Sequence, residues 1–176
     1  MKIKNHSMLS LAIIMLMTIP AVAQQVKTDY DRSANFSQYK TYSWSGVKTA
    51  DPLLVDRIKN AVNSTLSSKG LTQVDSGGDL TINAMEITSD QQTLDTFYHG
   101  GFGGRRFGGG FGDATTTTET YKVGTLVVDV FDAQSKELVF RGSSSDTLSD
   151  RSDKNIKNLN KGVEKMLKHF PPEAKK

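Results

Sequence analysis

Residues 115–148 read TTTTETYKVGTLVVDVFDAQSKELVFRGSSSDTL, and two alternating runs on either side of one turn decide the fold. In the first run Leu126, Val128 and Val130 fall on one side and Val127, Asp129 and Phe131 on the other. That period of two belongs to a strand, and the β-branched valines and threonines suit a pleated surface. The segment Asp132–Lys136 reads as a turn, and Glu137–Leu148 as a second strand of the same character, so the pair predicts an antiparallel hairpin. Arg141 follows Phe140 by one residue and therefore points to the opposite face, where it is expected to meet an acidic neighbour across the hairpin.

The hairpin needs partners on both sides, and the flanking sequence offers them. Before it, Val26, Thr28 and Tyr30 alternate with Lys27 and Asp29, Asp31–Asn35 reads as a turn, and the stretch from Lys40 to Ser45 reads as a strand rich in Thr, Tyr and Trp. DPLLVDRIKNAVNSTLSSKG, from Asp51 to Gly70, predicts a helix. Asp51 can cap it, Pro52 sits at a tolerated first position, and Leu54, Ile58, Ala61, Val62, Thr65 and Leu66 share one face. A short strand at Leu71–Val74, a turn at DSGGD and an alternating strand from Leu80 to about Thr88 follow. After the hairpin, Ile156, Leu159, Val163, Met166, Leu167 and Phe170 mark one face of a second helix, which Pro171 and Pro172 end. These elements predict an α+β fold: a single, mostly antiparallel sheet of five to six strands layered with two amphipathic helices. Trp44 and Phe140 are the expected aromatic anchors of its core.

The first residues predict a secretory leader over residues 1–23: Lys2 and Lys4, an apolar run from Met8 to Ile19, Pro20, and the small triplet Ala21, Val22, Ala23. Cleavage is expected after Ala23. The apolar run falls short of the about 20 residues that span a bilayer, so residues 24–176 are expected to form one exported domain with no transmembrane segment, most simply periplasmic. Removing Lys2 and Lys4 takes Lys+Arg from 22 to 20 against 19 Asp+Glu, and the net charge from +3 to +1. A nearly neutral chain offers no field to gather nucleic acid, so no nucleic-acid partner is expected. The cysteine count is 0, which removes disulfides, thiol nucleophiles and thiolate metal sites together.

Three stretches resemble one bacterial envelope family, the domain of unknown function 4136. They are DYDRSANFSQYKTYSW near the start, GTLVVDVFDAQSKELVFRGSSSDTL in the hairpin and VEKMLKHFPP at the end, and the likeness runs from Val26 to Pro172. The resemblance implies an exported α+β domain of unassigned activity, and it brings no catalytic residues to carry over. It also implies a lipoprotein in many members, but the leader here ends IPAVAQQ without a cysteine to carry a lipid.

Between the two long strands lies HGGFGGRRFGGGFG, residues 99–112, with eight glycines in fourteen residues. It fails as a dinucleotide fingerprint, because Arg106 stands where the third glycine belongs and a strand follows instead of a helix. It fails as a P-loop as well: Gly103 and Gly108 have the spacing, yet Gly109 and Gly110 replace the Lys and the hydroxyl residue. A flexible connection over about residues 99–114 is the expectation, since ordering so many glycines is entropically costly. Its side chains with a claim to interaction are Tyr98, Phe102, Arg105, Arg106, Phe107 and Phe111, aromatic and guanidinium groups of the kind enriched at protein interfaces.

Elsewhere the chemistry is sparse. Asp29 with Asp31, and Asp129 with Asp132, could pair for acid–base work, but a turn and a hairpin loop explain the second member of each. His99 and His169 stand alone, and no H-E-x-x-H, calcium loop or nucleophile elbow occurs, so no metal, cofactor or catalytic residue is assigned. The residues favour a non-enzymatic binding or interaction module acting on another envelope protein or surface. A carrier of a small apolar molecule or lipid, held between sheet and helices, is the alternative, and a hydrolase the third reading.

Overall fold

The hairpin of residues 115–148 forms the centre of the sheet. A computed structural model describes residues 24–98 and 114–172. In chain order the elements are β1 (Gln25–Tyr30), β2 (Thr41–Lys48), α1 (Leu53–Ser68), β3 (Thr72–Gln73), β4 (Leu80–Tyr98), β5 (Ala114–Asp132), β6 (Leu138–Thr147) and α2 (Ser152–Met166), with a 3-10 turn at Phe36–Gln38 between β1 and β2. The strands make one sheet in the order β1-β6-β5-β4-β2-β3. The three pairings on the β1 side are antiparallel, while β2 runs parallel to both β4 and β3. The α+β expectation holds, with a mixed but mostly antiparallel sheet. The parallel pairs follow from α1, which carries the chain back across the sheet between β2 and β3, as a parallel connection requires.

Local chemistry sets each boundary. Asp132 closes the central hairpin by accepting from the N–H groups of Gln134 at 2.7 Å and Ser135 at 2.9 Å, and Lys136 takes the left-handed conformation, φ 64°, that completes the turn. Asp51 accepts the Leu53 N–H at 2.9 Å and so occupies a free amide at the start of α1. Gly78 has no room for a side chain, because a Cβ there would lie 2.6 Å from the Tyr42 carbonyl carbon. That close approach lets the Asp75–Asp79 turn cross the end of β2.

Both helices lie on one face of the sheet. There Leu80, Ile82 and Ala84 of β4, Leu126, Val128 and Val130 of β5 and Phe140 of β6 meet Ile58, Val62 and Leu66 of α1 and Val163, Met166 and Leu167 at the end of α2. The alternation read in β5 is the alternation observed: Leu126, Val128 and Val130 are buried, and Val127, Asp129 and Phe131 are half-buried on the open face. Phe170 closes the core edge-to-face against Phe140, 4.9 Å between centroids, and Phe36, 5.8 Å. Phe140 is buried, as expected; Trp44 is half-buried, and its indole N–H and the Tyr42 hydroxyl both donate to Asn63 Oδ1 at 2.9 Å, pinning α1 to β2.

One strand is longer than its sequence suggests. The alternation in β4 fades at about Thr88, yet the strand continues through Tyr98, paired in register with β5 as far as Ala114. Its side chains from Ser89 to Leu94 are exposed on both faces, which removes the need for an apolar period there. The connection expected at about residues 99–114 correspondingly gives up Ala114, the first residue of β5.

Candidate functional site

At the end of the sheet where both helices begin, the core-facing surface turns polar. On β4 the series Leu80, Ile82, Ala84 continues on the same face as Glu86 and Thr88. On β6 Phe140 and Gly142 are followed by Ser144 and Asp146, opposite Leu126 and Gly124 of β5. These groups, the first turns of α1 and α2, and Gln24 and Leu148 line a cleft of about 430 Å³. Its apolar lining includes Leu54, Leu126, Leu148, Ile156 and Leu159.

Several polar groups of the cleft are already engaged. Glu86 accepts from the hydroxyls of Thr49 at 2.9 Å and Thr88 at 2.8 Å. Gln24 donates through Nε2 to the Asn158 carbonyl at 2.8 Å, and Asn155 is tied in both directions to the backbone of Ser149. Arg57, Asp146 and Asp150 have side chains with no hydrogen bond or ion pair to any other described residue. The sequence carried a signal for this place: positions on the buried parity of β4 and β6 change from apolar to polar while both strands continue.

The carboxylates considered for acid–base work are spent on structure. Asp29 accepts the N–H of Tyr30 at 2.9 Å. Asp31 takes the Ser33 hydroxyl at 2.7 Å and the Ser33 N–H at 2.8 Å, which hold its carboxyl below the ordinary carboxylate range. Asp129 forms a two-pronged pair with Arg141, at 2.6 Å to Nε and 2.7 Å to a terminal nitrogen, so Arg141 meets the acidic neighbour expected across the hairpin. Asp132 is lowered by the Ser135 N–H and then by the Tyr39 hydroxyl at 2.8 Å. Asp79, which sequence reasoning passed over as part of a turn, accepts from the N–H groups of Lys40 and Thr41 and from the Thr41 hydroxyl, all within 2.9 Å, and its carboxyl is lowered for that reason. Among the described residues no three His, Cys, Asp or Glu side chains are placed to hold a metal ion, and no helix is long and apolar enough to cross a membrane.

Beyond the cleft, β4 and β5 leave the sheet together. β2 accompanies β4 only as far as Met85, and β6 accompanies β5 only from Val123 onward. Among the described residues, 90–98 and 114–122 therefore pair with each other over nine positions with no third strand beside them, a two-stranded ribbon about 30 Å long whose base is held by a bond from the Leu148 N–H to the Lys122 carbonyl at 2.7 Å. Side chains 90–94 and 116–120 are exposed, with Leu94 at 68 %. Tyr98 is the last residue of β4 and pairs with Ala114, so the glycine-rich segment leaves and rejoins the fold at the far end of this ribbon. Phe102, Arg105, Arg106, Phe107 and Phe111 lie outside the described residues, as do His99 and residues 1–23, where a leader is expected. His169 is exposed in the turn that follows α2.

A mixed sheet with two helices on one face, a cleft at the helix starts and a ribbon projecting from the same end define a small α+β domain. The chain belongs to the family described as "Domain of unknown function (DUF4136)", whose model matches residues 26–172. No curated protein matches it. Among solved structures it is similar to a PDZ domain protein from Parabacteroides distasonis, with a TM-score of 0.58 and 15 % identity over 85 % of this chain; it spans 36 % of that protein's length. It is also similar to the PelC dodecamer from Paraburkholderia phytofirmans, with a TM-score of 0.52 and 13 % identity over 82 % of this chain and 95 % of that one. At such identities the likeness is one of fold.

Proposed function

We propose that the protein is an exported, non-enzymatic interaction module of the cell envelope, and that it binds another protein chain through the β4–β5 ribbon. The observation that carries this reading is the ribbon itself: nine residue pairs that leave the sheet with no other strand of the described residues beside them. A two-stranded ribbon in water is marginal, and among the described residues no third strand covers either of its outer edges. Edges of this kind are usually blunted by Lys or Pro, but positions 90–98 and 114–122 hold one lysine, Lys122, and no proline. Threonines with high strand propensity fill β5 instead, which suits strand addition by a partner.

Export is supported by the leader pattern of residues 1–23, and the absence of a lipid-bearing cysteine favours the periplasm. The non-enzymatic reading is supported by the structural bonds that occupy Asp29, Asp31, Asp129 and Asp132. Phe102, Arg105, Arg106, Phe107 and Phe111, of residue types enriched at protein interfaces, follow the ribbon in sequence and support the same reading. The assembly of PelC as a dodecamer makes a second copy of this chain the first partner to test. Native co-isolation from the envelope tests the reading, with the intact chain compared against one in which Gln91–Tyr121 is replaced by Asn-Gly. A defined partner, or a second copy, is expected with the intact chain and not with the shortened one. Equal recovery of the partner by both would refute the assignment to the ribbon.

A further inference from the structure

We propose that the cleft at the start of the two helices binds a small amphipathic cation, with an ammonium-type head at the rim and an apolar body on the floor. The cleft measures about 430 Å³. That lies within the roughly 300–1,000 Å³ typical of small-molecule sites, which are mostly apolar with a few placed polar groups. The floor here is made by Leu54, Leu126, Ile156 and Leu159, with Leu148, still 36 % exposed, at its side.

Charge selects the head group. Asp51, Glu86, Asp146 and Asp150 line the cleft against one cation, Arg57, which leaves three negative charges in a chain whose overall balance is +3. The carboxylates of Asp146 and Asp150 have no protein partner among the described residues, so both can turn to a bound cation. Low-dielectric walls focus such a field instead of dissipating it. The two helix starts would favour an anion if their first amides were open. In α1 they are not: Asp51 takes the Leu53 N–H and backbone carbonyls take those of Leu54 and Val55; at the start of α2 the carboxylates of Asp150 and Asp153 already face the helix end and oppose an anion.

This inference is independent of the ribbon. Titration calorimetry on the purified exported chain tests it with three probes of equal chain length, each below its micelle-forming concentration: decylammonium, decyl sulfate and decanol. Decylammonium is expected to bind saturably, one molecule per chain, and more tightly than either of the others. The double substitution Asp146→Asn with Asp150→Asn should weaken it about fivefold, the scale of a partly screened ion pair, and leave the thermal midpoint in place. Ile156→Trp should fill the floor and abolish binding. If Ile156→Trp fails to fold, the double substitution and the three probes still decide. Binding of decyl sulfate or decanol as tight as that of decylammonium, no saturable binding, or no effect of the double substitution would overturn the proposal.

Discussion

Phe170 joins the segment after α2 to the turn between β1 and β2 and to β6. It is 1 % exposed, it stacks edge-to-face on Phe140 and Phe36, and it follows α2 by a single turn. Truncation to Ala leaves a cavity bounded by two other rings, so Phe170→Ala is expected to destabilise the domain by about 3–5 kcal/mol in denaturant unfolding. The helical spacing of Ile156, Val163, Met166, Leu167 and Phe170 made this position legible in sequence, as the odd-even pattern did for Arg141 and Asp129. Asp79 was not legible in the same way, because its bonding partners stand 38 and 39 residues earlier in the chain. Asp79 and Asp132 also carry the pH dependence expected of the fold. Hydrogen bonds lower both carboxyls in the folded state, so their contribution is fully present above the unfolded carboxylate value and is lost as pH falls through the lowered folded one. Stability should stay level from neutral pH to about 4 and then decline, and Asp79→Asn should flatten part of that decline. A decline of the same size in Asp79→Asn would mean that this carboxylate plays no part in it.

At the scale of elements, the strands, the β5–β6 hairpin and the helix faces followed from periodicity, but the order of the strands in the sheet and the length of β4 did not. Periodicity reports burial, and the side chains of Ser89–Leu94 are exposed on both faces; the stretch is a strand because β5 pairs with it, a contact made across the whole glycine-rich segment. The same logic explains the cleft: polar residues on the buried parity of β4 and β6 read as imperfections in a strand until two helix starts are seen to leave them uncovered. A ribbon that buries nothing contributes little to folding. Replacing Gln91–Tyr121 by Asn-Gly joins Asp90 to Lys122, which already face each other, through a two-residue hairpin loop. The shortened domain is expected to melt within about 4 °C of the intact one, the shift that ~1 kcal/mol produces at this size. A fall well beyond that would make the ribbon part of the folding core, and its value as a separate binding arm would be lost.

On the scale of the whole molecule, the domain is divided between two ends. At one, Phe36, Tyr39, Phe140 and Phe170 seal the core and the carboxylates of Asp79 and Asp132 tie the turns. At the other, both helices begin, the core face opens into the cleft and the ribbon departs. Stability is concentrated at the first end, and the surfaces without an internal partner at the second. The proposed function, an envelope protein that works through such surfaces, rests on the second end. Photo-crosslinking in intact cells tests that claim most directly, with a photoreactive residue at Thr93 on the ribbon and, as control, at exposed Ser64 on α1. The account predicts a discrete crosslinked band from position 93, either a partner or a second copy, and none from position 64. No band from position 93, or the same band from both positions, would contradict it.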